Sequence, residues 1–149
     1  MKNKILLILI VSALYSISVS CSDSKYVEEN KFIGEWELNG RDIYSGMRIN
    51  IKHENNVLIG RIVKKPDNDY GNLFLNEGDI WVSQIKRSAN YYFKITESKI
   101  AGKLFALYDL PTSTEYYAIF SEDFSVIFLS TKSPSLIPKS TKVFFKRIE

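Results

Sequence analysis

Few residues of this 149-residue chain have the types and spacing needed for acid–base, nucleophilic or metal chemistry. His53 is the single histidine, so the sequence cannot supply a two-histidine metal site or a histidine cluster for zinc. A Ser-His-Asp triad would have to use the same residue, and nothing near it resembles a nucleophile elbow. The polar residues around it instead place His53 in a solvated hairpin turn.

Two sets of acidic residues have spacings that could serve acid–base catalysis or calcium binding. Glu35 and Glu37 share one face of a predicted strand, as paired carboxylates would, but this face lies opposite Trp36 and is expected to meet water. Residues 67–69 (Asp-Asn-Asp) offer oxygen ligands for calcium without the glycine and distal glutamate of a complete loop, which favours a turn. No glycine-rich phosphate loop is present. We therefore expect no catalytic residue, no metal and no cofactor, and we expect that the protein is not an enzyme.

Residues 1–20 have the organisation of a secretory signal peptide. Lys2 and Lys4 precede an apolar run from Ile5 to about Val19. This run is short for a membrane span, which needs about 20 apolar residues. Cys21, the single cysteine of the chain, follows directly.

Ser20 and Cys21 resemble the end of the lipobox of bacterial lipoproteins, in which the cysteine becomes the first mature residue and carries acyl chains. Ser18 departs from the leucine usual there, and Ser18-Val19-Ser20 also fits the small-x-small rule of ordinary signal peptidase. The resemblance implies a membrane anchor at Cys21, whereas the alternative leaves a free thiol near a soluble N-terminus. Residues 22–24 (Ser-Asp-Ser) are similar to the start of outer-membrane lipoproteins of the Bacteroidetes group, which implies a location in the bacterial cell envelope.

The charge of the chain gives little reason to expect nucleic acid as a partner. The formal net charge is +3, from 20 Lys and Arg against 17 Asp and Glu. Removal of the signal peptide takes away Lys2 and Lys4 and leaves a net charge of +1. The remaining basic pairs form no stripe of positive charge, so the surface is expected to be mixed and solvated.

The mature part reads as short strands separated by turn residues about every ten positions. Phe32, Trp36 and Leu38 alternate with Glu35 and Glu37, which is the period of a half-buried strand. We expect a flexible tether over residues 21–30 and one domain over residues 31–149, folded as an all-β, single antiparallel barrel of eight to ten strands. The predicted strands cover residues 32–38, 47–51, 57–63, 80–85, 91–96, 100–108, 115–120, 125–130 and 142–148, with a brief one at 73–75.

The pattern Phe32-x-Gly34-x-Trp36 resembles the Gly-x-Trp signature of lipocalin-like, or calycin, barrels. The resemblance implies that Trp36 packs across the closed end of the barrel, with Arg147 or Lys146 of the last strand over its ring. The helix that lipocalins carry near their last strand is not predicted here, and their other motifs are not recognisable. The closest description is a small lipocalin-like bacterial lipoprotein.

Abundant aromatic residues leave two functions open. In the first, a lipid-anchored envelope protein holds a small hydrophobic ligand inside the barrel. In the second, the same residues fill a packed core, and the protein is an accessory lipoprotein that binds a protein partner in an envelope complex. The residues expected to line a ligand pocket are Trp81, Tyr91, Phe93, Phe105, Tyr116, Phe120 and Phe128.

Overall fold

The protein folds as a closed antiparallel barrel of eight strands, in which each strand pairs with the next and the last returns to the first. This confirms the predicted all-β class and the single barrel. The computed structural model describes residues 26–100, 102–132 and 141–149, so the predicted signal peptide and Cys21 lie outside the described residues. The strands are β1 Gly34–Asn39, β2 Arg48–Glu54, β3 Val57–Lys64, β4 Ile80–Arg87, β5 Phe93–Ser98, β6 Ser113–Phe120, β7 Val126–Ser130 and β8 Phe144–Arg147.

Alternation of apolar and polar residues determines which side of each strand faces the interior. On β1, Trp36 and Leu38 are fully buried, while Glu35 and Glu37 lie on the outer face. Both of these glutamates contact Arg48 of β2, at 3.7 Å and 3.2 Å. They are therefore part of a surface ion-pair group rather than a pair of carboxylates in a cleft.

The two ends of the barrel differ in their connections. One end carries the short links β2–β3, β4–β5 and β6–β7, and a 3-10 turn at Glu29–Phe32 places the fully buried Phe32 there. We call this the closed end. The other end carries the longer β1–β2, β3–β4 and β5–β6 connections and the β7–β8 connection, of which the structure describes residues 131–132 and 141–143, and we call it the open end. The β3–β4 and β5–β6 connections contain the helices α1, Asp69–Phe74, and α2, Gly102–Leu107.

These two helices replace strands that the sequence pattern predicted, so the predictions at residues 73–75 and 100–108 were wrong. The Asn68 side chain caps α1 by accepting a hydrogen bond of 2.7 Å from the backbone N–H of Gly71, which favours a helical turn there. The α2 segment contains Leu, Lys and Ala, which are good helix formers. Each helix has six residues, and none in the described part of the chain is long and apolar enough to cross a membrane.

The described part of the predicted tether, residues 26–30, packs against the closed end. Val27 is only 6% exposed, and its backbone N–H donates to the carbonyl of Asn90 at 2.9 Å. Arg87 donates from Nη2 to the Val27 carbonyl at 2.7 Å, and its guanidinium lies 4.2 Å from the centre of the Tyr26 ring. The chain therefore contacts the folded domain before the predicted domain start at residue 31.

Candidate functional site at the open end of the barrel

A pocket of about 400 Å³ opens at the open end of the barrel. This volume lies near the lower limit of small-molecule sites, about 300 to 1,000 Å³. Its walls come from the β1–β2 connection, from both helices and from β4, β5 and β6. The lining residues are Arg41, Tyr44, Tyr70, Phe74, Trp81, Glu97, Ser98, Lys99, Ile100, Phe105, Thr114 and Tyr116.

A buried ion pair joins two sides of this pocket. Arg41 donates from Nη1 to Oε2 of Glu97 at 2.5 Å, and Glu97 is 3% exposed. Glu97 faces the interior because it continues the inward face of β5 after Phe93 and Ile95. Arg41 lies in the connection that follows β1, so the pair links residues 56 positions apart.

Three buried polar atoms of the pocket residues have no hydrogen-bond partner in the described part of the protein: Arg41 Nη2, Trp81 Nε1 and Glu97 Oε1. The Trp81 N–H lies close enough to Glu97 to affect its pKa, but it does not reach the geometry of a good hydrogen bond. An unpaired buried polar group costs about 1–3 kcal/mol. The open end therefore concentrates buried polar atoms for which the described residues provide no well-aligned hydrogen bond.

Burial also affects the titration of the groups in the pocket. Desolvation raises the pKa of Glu97 above its usual range, and the charge and hydrogen bond of Arg41 oppose this only in part. Desolvation likewise raises the pKa values of Tyr44 and Tyr116. A hydrogen bond to Tyr70 also raises the pKa of Tyr44, so the Tyr44 hydroxyl is engaged, whereas the Tyr116 hydroxyl can donate to a ligand.

One wall of the pocket is a series of aromatic rings. The ring of Tyr44 meets Trp81 edge-on, with centroids 5.1 Å apart, and lies 5.9 Å from the ring of Tyr70. Tyr70 in turn contacts Phe74, the last residue of α1, at 4.8 Å. Such rings offer large flat surfaces for a ligand with an aromatic or apolar body.

Two cations also lie against aromatic rings in the pocket. The Arg41 guanidinium is 4.5 Å from the centre of the Tyr116 ring, and the Lys99 ammonium is 5.7 Å from the centre of the Phe105 ring. Both distances are in the range of cation–π contacts.

A second pocket of about 220 Å³ adjoins the first between α1 and β4. Asp79 belongs to its lining and accepts a hydrogen bond of 3.1 Å from the backbone of Asn76. The residues common to both pockets are Phe74, Trp81, Ser98, Lys99 and Ile100.

The structure brings three of the seven predicted pocket residues to this site, namely Trp81, Phe105 and Tyr116. Phe93 and Phe120 lie instead in the core of the closed end, where their rings pack 4.8 Å and 4.6 Å from that of Phe32.

The two remaining predicted residues also lie elsewhere. Tyr91 is 39% exposed, and its ring contacts that of Tyr92 at 4.3 Å. Phe128 occupies a β7 position between the buried residues Ile127 and Leu129, so its side chain is on the outer face of the barrel. The aromatic content of the sequence thus pointed to residues of the core and surface as well as the pocket.

Trp36 and Arg147 meet at the closed end. They are partners in the β1–β8 register, and the Arg147 guanidinium lies 4.1 Å from the centre of the indole ring. Trp36 donates its indole N–H to the carbonyl of Phe32 at 2.7 Å. Arg147 also donates to the carbonyls of Ile33 and Lys31, at 3.0 Å and 2.5 Å. This cluster holds the start of the domain against its last strand.

The polar residues of the pocket were not predicted from the sequence. Glu97 stood in a segment interpreted as a turn, although the alternation Phe93-Ile95-Glu97 places it on the inward face of a strand. Arg41, Tyr44 and Lys99 lie in connections, for which no periodic signal exists. Continuing the inward face of β5 by one more step would have identified Glu97.

The sequence pattern of residues 67–69 also offered oxygen ligands for calcium, although it favoured a turn. Asp69 begins α1, and Asn68 uses its side-chain oxygen to cap that helix. In the described residues no group of three His, Cys, Asp or Glu side chains could hold a metal ion. His53 is exposed, as predicted, but it lies in β2 opposite Leu58 of β3 and not in the hairpin turn, which is formed by residues 55–56.

The fold and pocket define a class: a closed eight-stranded antiparallel β-barrel with a pocket of ligand size at one end, compatible with a lipocalin-like fold. Comparison of the chain with protein-family models, with curated proteins and with solved structures finds no match.

Proposed function

We propose that this protein binds a small molecule in the pocket at the open end of its barrel. The observation that carries the proposal is the combination of aromatic walls with the unpartnered buried atoms of Arg41, Trp81 and Glu97. Ligand sites typically have mostly apolar walls and a few polar groups that fix the orientation of the ligand. The ligand expected here has an apolar or aromatic body and a polar group that meets the Arg41–Glu97 pair.

We further propose that the protein acts in the bacterial cell envelope, anchored by acyl chains on Cys21. Support comes from the signal-like residues 1–20 and from the single cysteine that follows them. The domain begins at the closed end, where Phe32 and Val27 pack. An anchor on this side of the domain would leave the pocket at the opposite end free to exchange ligand.

A tryptophan at position 114 tests the pocket directly. Thr114 lies on the inward face of β6 with Tyr116 and lines the pocket, whereas the adjacent Ser113 is exposed and lies outside the pocket lining. We expect the fluorescent probe 8-anilinonaphthalene-1-sulfonate to bind wild-type protein and the Ser113→Trp control. Thr114→Trp should lower its affinity at least tenfold because the added indole fills the pocket.

The two tryptophan variants separate pocket binding from probe adsorption to apolar surface. Circular dichroism of both variants establishes that the barrel is intact. Equal probe affinity in folded Thr114→Trp and Ser113→Trp, or no binding to the wild type, would refute the proposed binding site.

The second candidate function is that of an accessory lipoprotein in an envelope complex. It is favoured by exposed apolar side chains of the open end, since Leu73, Leu107 and Tyr108 are 75%, 80% and 71% exposed. Exposed apolar groups of this kind mark protein interaction sites when they form a contiguous patch. Chemical cross-linking in cells should then capture one partner with wild type and lose it with Leu73→Ser combined with Leu107→Ser.

A further inference from the structure

Positively charged side chains outnumber negatively charged ones in the lining of the larger pocket. Arg41 and Lys99 contribute two positive charges, and Glu97 is the one acidic residue among the described lining residues. Lys99 is exposed and forms no ion pair with any residue that the structure describes. The pocket therefore has a net positive charge even when Glu97 is ionised.

The site also contains buried N–H donors for which the described residues provide no partner. Arg41 uses Nη1 for Glu97, while its Nη2 and the indole N–H of Trp81 form no well-aligned hydrogen bond with any described residue. The hydroxyl of Tyr116 adds a group that can both donate and accept, whereas the hydroxyl of Tyr44 bonds to that of Tyr70. A ligand rich in acceptor atoms can use more of these groups than a ligand rich in donors.

The two acidic residues that line the larger pocket and the adjoining smaller one do not remove this imbalance. Glu97 Oε2 is bonded to Arg41, so the charge of this acid is paired, although its Oε1 has no hydrogen-bond partner among the described residues. Asp79 belongs to the adjoining smaller pocket, where it accepts from Asn76. Lys99 lines both pockets, so its ammonium group is available to a ligand in the larger one.

Building on the proposed function, we infer that the ligand is an aromatic organic anion with a single carboxylate or similar acidic group. Its ring system packs along the wall formed by Tyr44, Tyr70 and Phe74. Its negative group lies toward Lys99 and the Arg41 guanidinium, where opposite charge and charge-assisted hydrogen bonds favour it.

A pair of probes with the same shape tests the charge of the ligand. Calorimetric titration of the purified protein would compare 2-naphthoate with its neutral isostere 2-naphthamide. We expect the naphthoate to bind about tenfold more tightly. Lys99→Met should weaken naphthoate binding about fivefold, as expected for loss of one charge close to a ligand in water, and should leave naphthamide binding unchanged.

Lys86→Met is the matched control. Lys86 is an exposed lysine near the opposite end of β4, so its replacement changes the net charge equally but leaves the pocket intact. Equal affinity of the two probes for wild type, or an equal effect of Lys99→Met on both, would overturn the inference of an anionic ligand while leaving small-molecule binding in place. Failure of both probes, together with failure of the naphthalene sulfonate probe above, would overturn the proposed function itself.

Discussion

At the scale of single residues, the burial and pairing of side chains distinguish the two ends of the barrel. The closed end combines an indole, a guanidinium and a glycine: Arg147 lies over Trp36 and also contacts the backbone beside Gly34. The open end combines a buried acid with a partly exposed arginine, Glu97 and Arg41, whose side chains are 4% and 16% exposed. The first cluster has several protein hydrogen bonds, whereas buried polar atoms of the second have no hydrogen-bond partner in the part of the chain that the structure describes.

Gly34 is the residue whose substitution should most directly disturb the closed end. Its φ is +130°, and a Cβ at this position would lie 2.9 Å from Arg147 Nη1. Gly34→Ala should reduce the free energy of unfolding by about 1–3 kcal/mol from backbone strain, with an added loss from displacement of the guanidinium. Denaturant unfolding measures this change.

Gly78→Ala separates the two contributions. Gly78 also has a positive φ, +91°, but a Cβ there meets nothing within 4 Å. Gly34→Ala should therefore be the more destabilising of the two. An equal or smaller loss at position 34 would show that the contact with Arg147 does not contribute.

Glu97 should make stability depend on pH in a way that identifies it. Because burial raises its pKa above the ordinary 4.5, the folded protein binds this proton more tightly than the unfolded chain. The contribution of Glu97 to stability is then largest at low pH, falls as the pH rises above about 4.5, and levels off beyond the folded-state pKa.

Replacement by glutamine removes this titration. The free energy of unfolding of wild type relative to Glu97→Gln, measured by urea unfolding, should therefore decrease as the pH is raised above about 4.5. Glu115→Gln, at an exposed position of β6, controls for loss of a negative charge. A wild-type advantage that stays constant or grows with pH would contradict the raised pKa.

At the scale of elements, the strands were predictable because alternation is a local property of the sequence. On β5 every second residue is buried, as are Trp36 and Leu38 on β1, and each of the eight strands overlaps one of the predicted segments. Helices α1 and α2 were missed because six residues are too few to distinguish helical from strand periodicity. The pocket was predicted only in part because it depends on Arg41 and Glu97, which approach each other only after the barrel closes.

The 3-10 turn Glu29–Phe32 should act as the plug of the closed end. Phe32 is fully buried and contacts the rings of Phe93 and Phe120, whereas the adjacent Ile33 is 39% exposed. Phe32→Ala should lower the free energy of unfolding by about 3–5 kcal/mol because it leaves a cavity. Ile33→Ala should cost clearly less. Similar losses in both variants would mean that the turn does not plug the barrel.

At the scale of the whole molecule, the barrel has a packed end and an open end. The buried rings of Phe32, Trp36, Phe93 and Phe145 belong to its core, while the pocket lies among the connections of the other end. The first strand starts at the closed end, so an N-terminal anchor and a ligand would use opposite ends of the domain.

The membrane anchor is tested in the organism that makes the protein. Cys21→Ser removes the thiol that would carry the acyl chains, so the protein should move from the membrane fraction to the soluble fraction after cell lysis. Ser22→Ala, which keeps the cysteine, is the control. Unchanged membrane association of Cys21→Ser would contradict lipidation at this residue.

The most direct test of the central claim, that the open end holds a small molecule, is native mass spectrometry of protein gently purified from its own cell envelope. We predict an added small mass on the wild-type protein that disappears on denaturation and is absent from Thr114→Trp, in which the pocket is filled. A wild-type protein without added mass, or an added mass that persists in folded Thr114→Trp, would contradict the claim.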